Sequence, residues 1–153
     1  MEKEGRKLLE KLLKKYVSRG MKLLEIGCGN DEIMHELEKK FDVDVICVDP
    51  YGYGRRVIKI RAEEISSLSR KFNIIYSIQS FHHIADGEKF LEGAEKIILE
   101  GGKIILVDWK RGVDTGIPEQ YFSLEEVKEK VEKIFRIIEK GEGRFHFYIV
   151  GMA

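Results

Sequence analysis

Three groups of polar residues in this chain combine reactive side chains with a spacing that would expose them. The first is Glu25-Ile26-Gly27-Cys28-Gly29-Asn30. Glycines let the backbone turn sharply and approach a ligand closely. Free N–H groups opening a following helix suit an anionic group such as a carboxylate or phosphate. The second is Asp49, about 20 residues beyond the glycines, where an acid can accept both ribose hydroxyls of a nucleoside. The plainer role for Asp49 is to start a turn before Pro50. The third is Ser77, Gln79, His82 and His83. Adjacent imidazoles can orient a substrate or act as a base near neutral pH. Equally, one can be buried or capping while the other is solvated.

These groups require strands that end where they begin. Met21 to Ile26 is a short, nearly continuous apolar run, as is Val43 to Val48. Such runs suit strands of a parallel sheet, buried on both faces. Val57 to Ile60, Phe72 to Ile78 and Lys103 to Val107 extend the series. Between them, Ile33, Met34, Leu37 and Phe41 predict one helix and Phe90, Leu91, Ala94, Ile97 and Ile98 another. Gly101-Gly102 is expected to end that helix and start the fifth strand. Leu8, Leu9, Leu12, Leu13, Tyr16 and Val17 predict an amphipathic first helix stopped by Gly20. Ser123 and Glu126 form a capping box opening a helix through Ile134. Phe135 to Glu139 and Arg144 to Val150 then read as two strands joined around Gly141 and Gly143. Strands alternating with helices indicate an α/β sheet, with one antiparallel strand in the final hairpin.

Composition sets the outer bounds. The 153 residues fit one domain, and 27 basic against 27 acidic residues give a net charge of zero. That balance argues against bulk electrostatic attraction to nucleic acid or membrane. Eighteen Lys and 20 Glu against 2 Asn and 2 Gln resemble a thermophilic composition. Residues 1–22 carry eight basic and three acidic groups, read first as a solvated helix face. Cys28 and Cys47 match neither a disulfide framework nor a metal site by spacing, and are expected to be small buried hydrophobes. No metal is expected. No signal-peptide pattern or run of roughly 18 apolar residues is visible, so a cytoplasmic location is expected. A P-loop is excluded by sequence, and the dinucleotide fingerprint would need glycine where Glu32 stands.

Taken together, the motifs resemble the class I S-adenosylmethionine-dependent methyltransferases of the small-molecule, type 11 kind. LLEIGCGN (23–30), VICVDP (45–50), RAEEI (61–65) and FNIIYSIQSFHHIAD (72–86) resemble four of its motifs in order. LEGAEKIILEGGKIILVDW (91–109) and the closing helix and hairpin complete the likeness. The resemblance implies one domain over 1–153, with an N-terminal helix over 1–20 and a core over 21–153. It also implies a Rossmann-like three-layer sandwich with a seven-stranded, mostly parallel sheet in the order 3-2-1-4-5-7-6, strand seven antiparallel. The cofactor implied is S-adenosyl-L-methionine. Glu25 would sit near its methionine amino group, with Gly27, Cys28 and Gly29 lining it through backbone. Asp49 would hold the ribose, Pro50, Ala62 and Glu63 the adenine side, and Ser77 and Gln79 the floor beneath the sulfonium. His82 and His83 are the expected catalytic or acceptor-orienting residues, with Asp108 and Trp109 also facing the acceptor.

Departures from the pattern define competing expectations. Asp31 stands where a third glycine is usual, Arg61 replaces a common acid, and Tyr51 to Arg56 leave no room for the usual second helix. The main expectation is methyl transfer to a small-molecule acceptor. The alternatives are a degenerate cofactor-binding or accessory module, and an RNA-associated methyltransferase using the first helix with Arg55, Arg56, Lys59 and Arg61. No Asn-Pro-Pro-Tyr-type motif follows strand four, which disfavours amino groups of DNA or glutamine as acceptors. Acceptor contacts are expected from the N-terminal helix, the 110–122 loop, or a second chain in a homo-oligomer or accessory complex. No membrane partner is expected.

Overall fold

A computed structural model describes residues 1–153. Seven strands form one sheet: β1 (Lys22–Ile26), β2 (Asp44–Val48), β3 (Val57–Ile58), β4 (Phe72–Ile78), β5 (Ile98–Trp109), β6 (Arg136–Glu142) and β7 (His146–Met152). Their order is β3-β2-β1-β4-β5-β7-β6. The first five are parallel, and β7 runs antiparallel to both β5 and β6. The class and strand order are those expected.

Side-chain alternation along the strands builds two core layers. Leu23, Val45, Cys47, Ile74, Tyr76 and Ile105 face α1 (Glu2–Tyr16) and α2 (Glu32–Phe41). Leu24, Ile26, Ile75, Ile104 and Leu106 face α3 (Gly87–Ile97) and α4 (Leu124–Glu132). The α4 capping box forms as expected, Ser123 Oγ accepting from Glu126 N–H at 3.2 Å and Glu126 accepting from Ser123 N–H at 3.0 Å. The α1 side completes the sandwich through Leu9, Leu12 and Leu13. No helix is long and apolar enough to cross a membrane.

Three local expectations need correction. Gly101-Gly102 does not join helix to strand; the helix ends at Ile97, and the glycines lie inside β5. The β4 register jumps there from Ile98 to Lys103, and Gly101 adopts φ +75°, so the pair forms an irregularity within a continuing strand. The hairpin strands lie slightly further along the chain than expected. Finally, Cys28 and Cys47 are not free hydrophobes but a disulfide. Sheet register is the reason: Cys47 pairs with Glu25, and the chain turns back at Gly27 to bring Cys28 over β2. Only a turn at 51–56 separates β2 from β3, so the second crossover helix is absent as expected.

Candidate active site

The carboxyl ends of β1, β2 and β4 frame a cavity of about 500 Å³. Gly27, Asp49, Pro50, Ala62, Glu63 and Ser80 are among its walls. Its rim is held by the residues that line it. Asp49 Oδ2 accepts the Gly29 N–H at 2.8 Å, and Oδ1 accepts the Tyr51 N–H at 2.8 Å. One carboxylate thus ties the β1–α2 loop to the β2–β3 turn, and lone pairs remain on both oxygens for a ligand. Gly27 has φ +79°, and a Cβ there would lie 2.7 Å from Ser80. Ser80 Oγ donates to the Ile26 carbonyl at 2.7 Å and lies 2.6 Å from Ser77 Oγ. These bonds lock the end of β1 to the end of β4.

A second cavity, about 770 Å³, opens beyond β4 and β5 between Gln79, His82, His83, Trp109, Glu119 and Tyr121. His83 contributes to the walls of both cavities. The His82 side chain is buried, with Nδ1 2.9 Å from Asp108 Oδ1 and Nε2 3.0 Å from Glu119 Oε2. Burial opposes its charged form, but the hydrogen bonds to Asp108 and Glu119 outweigh that and hold its pKa above the usual value. His82 is therefore a fixed, doubly engaged group, whereas His83 is 59% exposed. Gln79, at φ +55°, places Oε1 2.8 Å from His146 Nε2. Burial holds the His146 pKa down despite Glu4, and its ring stacks on Trp109 with centroids 4.1 Å apart.

The other expected residues fall into place unevenly. Glu25 does not line the first cavity; it points beneath α1, is 1% exposed, and accepts the Tyr76 hydroxyl at 2.6 Å. Burial pushes its pKa up to about 7, and the Tyr76 bond only partly counters this. Ser77 is buried and hydrogen-bonds Ser80. Cys28 joins the wall-forming loop to β2 through its disulfide. Asp31 turns away, its carboxylate against Gly54 and 3.6 Å from His35. Sequence reading missed Ser80, Glu119 and Tyr121. Ser80 lies within the SIQSFHH segment and was discoverable there, whereas Glu119 and Tyr121 come from an irregular loop with no spacing signal.

A family model described as a methyltransferase domain matches residues 1–137. The chain belongs to the class I S-adenosylmethionine-dependent methyltransferases. Phosphoethanolamine N-methyltransferase 3 of Arabidopsis thaliana is 27% identical over 114 residues, covering 65% of this chain and 23% of that protein. Ubiquinone biosynthesis O-methyltransferase of Rhizobium etli is 24% identical over 106 residues, covering 60% of this chain and 42% of that protein. The methyltransferase chain thus spans less than half the length of these curated relatives. A SAM-dependent methyltransferase from Aquifex aeolicus superposes with a TM-score of 0.77 at 20% identity, covering 99% of this chain and 98% of that one. That likeness confirms the methyltransferase fold. The first cavity suits the family's cofactor: left-handed glycines bare the backbone, and Asp49 keeps acceptor capacity toward the open space.

Proposed function

We propose that this chain transfers a methyl group from S-adenosylmethionine to a small-molecule acceptor. The observation that carries the reading is the pair of cavities that share His83 in their walls. Both volumes fall within the roughly 300–1,000 Å³ usual for small-ligand sites. S-adenosylmethionine supplies an activated methyl group on a sulfonium with a neutral thioether leaving group. The protein's task is then positioning and water exclusion. Asp49 receives the ribose hydroxyls, while Pro50, Ala62 and Glu63 border the adenine. Gly27 and Gly29 bring backbone against the cofactor, and Ser77 supports this floor through Ser80. Gln79, His83, Trp109 and Tyr121 shape the acceptor side, with His83 orienting the attacking atom and Asp108 fixing His82 behind it. Glu25 acts through the β1 loop rather than by lining the cavity.

The degenerate-module reading loses one of its supports, because Asp31 points to Gly54 rather than into the first cavity. The RNA reading is weakened by pairing: Arg6 bonds Glu10 and Glu36, Lys15 bonds Glu139, and Arg56 pairs with Glu38. Calorimetry with S-adenosylmethionine tests the donor half; Asp49→Ala should weaken binding at least tenfold. Transfer of labelled methyl to a hydroxyl- and amine-bearing metabolite panel tests the acceptor half. Absence of cofactor binding by the wild-type chain overturns the reading.

A further inference from the structure

The acceptor cavity contains a donor set that methyl transfer by positioning alone does not require. His82 Nε2 lies 3.0 Å from Glu119 Oε2, and His83 Nε2 lies 3.5 Å from Glu119 Oε1. One ligand atom from each of these three residues lies within 4.8 Å of the others. Two ligands bound tetrahedrally at about 2.0–2.1 Å stand about 3.3 Å apart, between the two separations observed. Behind His82, Asp108 receives the Nδ1 side at 2.9 Å and also accepts the backbone N–H of His82 at 2.9 Å and of Trp109 at 2.8 Å. A buried carboxylate holding the far nitrogen of an imidazole is the usual outer support of a metal-binding histidine. With Nδ1 directed at Asp108, Nε2 is turned toward the Glu119 carboxylate, and a cation held by both would take the place of the proton that Nε2 otherwise shares with Glu119. Two carboxylates and two imidazoles would balance a divalent ion.

We propose that His82, His83 and Glu119 bind a first-row divalent transition-metal ion, Zn²⁺ fitting the donor set best, with its open position facing the acceptor cavity. Resting on the methyltransferase reading, this narrows the acceptor to a hydroxyl-bearing molecule whose oxygen takes that open position. The hydroxyl proton leaves to solvent through the cavity mouth. The oxygen then forms its bond to the methyl carbon as the carbon–sulfur bond breaks, the electron pair staying on sulfur. The metal supplies Lewis acidity and position, while Asp108 keeps His82 aimed.

The test uses metal-stripped protein kept oxidised, so that Cys28 and Cys47 stay bonded. Zn²⁺ is titrated by calorimetry, and Co²⁺ is followed by its visible absorption. One equivalent should bind with submicromolar affinity. His83→Ala and Glu119→Gln should each weaken binding at least 100-fold and bleach the Co²⁺ band. His35→Ala should change nothing. Both ligand substitutions lie at exposed or half-exposed side chains (59% and 28%), and unchanged melting curves will confirm folding. No stoichiometric uptake, or uptake surviving both substitutions, overturns the site and leaves a His82–Glu119 ion pair only. S-adenosylmethionine is titrated into the same preparation. Cofactor binding without Zn²⁺ binding sinks the metal site alone. Zn²⁺ binding without cofactor binding sinks the methyltransferase reading and leaves the metal site standing.

Discussion

Glu25 shows how a residue in a familiar motif can act through burial rather than contact. Its folded pKa stands near 7, raised first by burial, against a usual value of 4.5. As pH rises from about 4.5 to 7, the unfolded chain releases this proton while the folded chain keeps it. Stability therefore falls across that window, by about 3 kcal/mol in total, and is level above it. Glu25→Gln should remove this slope and keep an acceptor for the Tyr76 hydroxyl. Urea melts at pH 5 and pH 8 measure it; equal pH dependence in variant and wild type would refute the account. Gly27 gives a second residue-scale expectation. Alanine there meets both a left-handed backbone and Ser80 at 2.7 Å, whereas at Gly29 it meets strain with no neighbour within 4 Å. The strain costs about 1–2 kcal/mol at either site. Gly27→Ala should lose more stability than Gly29→Ala and weaken S-adenosylmethionine at least tenfold. Similar losses in both variants would show that the Ser80 contact is unimportant.

At the scale of elements, the disulfide joins the glycine loop directly to β2, closing a sequence separation of 19 residues. Restricting the unfolded chain over a loop of that size stabilises by about 3 kcal/mol. Reduction, verified by alkylation of Cys28 and Cys47, should lower unfolding free energy by about that amount and weaken cofactor binding by loosening the loop. An unchanged urea midpoint in fully reduced protein would count against this. The sequence could not disclose this bond, because two cysteines carry no pairing pattern and only sheet register brings them together. By contrast, β4 was legible to the residue, since Phe72 to Ile78 is mostly apolar over a strand's length. Gly101-Gly102 misled because a glycine pair has the same sequence signal whether it ends a helix or interrupts a strand. The glycine loop and Asp49 were legible as polar residues at strand ends, which is where the structure places them. The Glu119 contact to His82 spans 37 residues through an irregular loop, which no periodicity reports.

Across the whole molecule, the net charge of zero conceals specific pairing between elements. Arg6 of α1 reaches Glu36 of α2 at 2.7 Å, and Lys40 of α2 reaches Glu10 of α1 at 2.8 Å. Lys15 of α1 bonds Glu139 of β6 at 2.8 Å, and Lys133 after α4 lies 3.4 Å from Glu88 of α3. Isolated surface pairs contribute roughly 0–1 kcal/mol each, so a single bridge explains little. Here Arg6 and Lys40 share Glu10, and the network fastens α1 and α2 over the face that carries Glu25. Such networks gain relative importance with temperature, because the hydration they forgo becomes less favourable. Together with the Lys- and Glu-rich, amide-poor composition, this predicts a melting midpoint above the mesophilic range of about 45–65 °C. Raising NaCl to 1 M shortens screening to about 3 Å, and should lower the midpoint by a few degrees. Arg6→Met should reduce that salt sensitivity by breaking contacts to both Glu10 and Glu36. Scanning calorimetry of the oxidised protein in low and high salt measures both effects. A mesophilic midpoint with no salt response would show that these pairs are surface ornament and that the two packed faces alone hold the sheet.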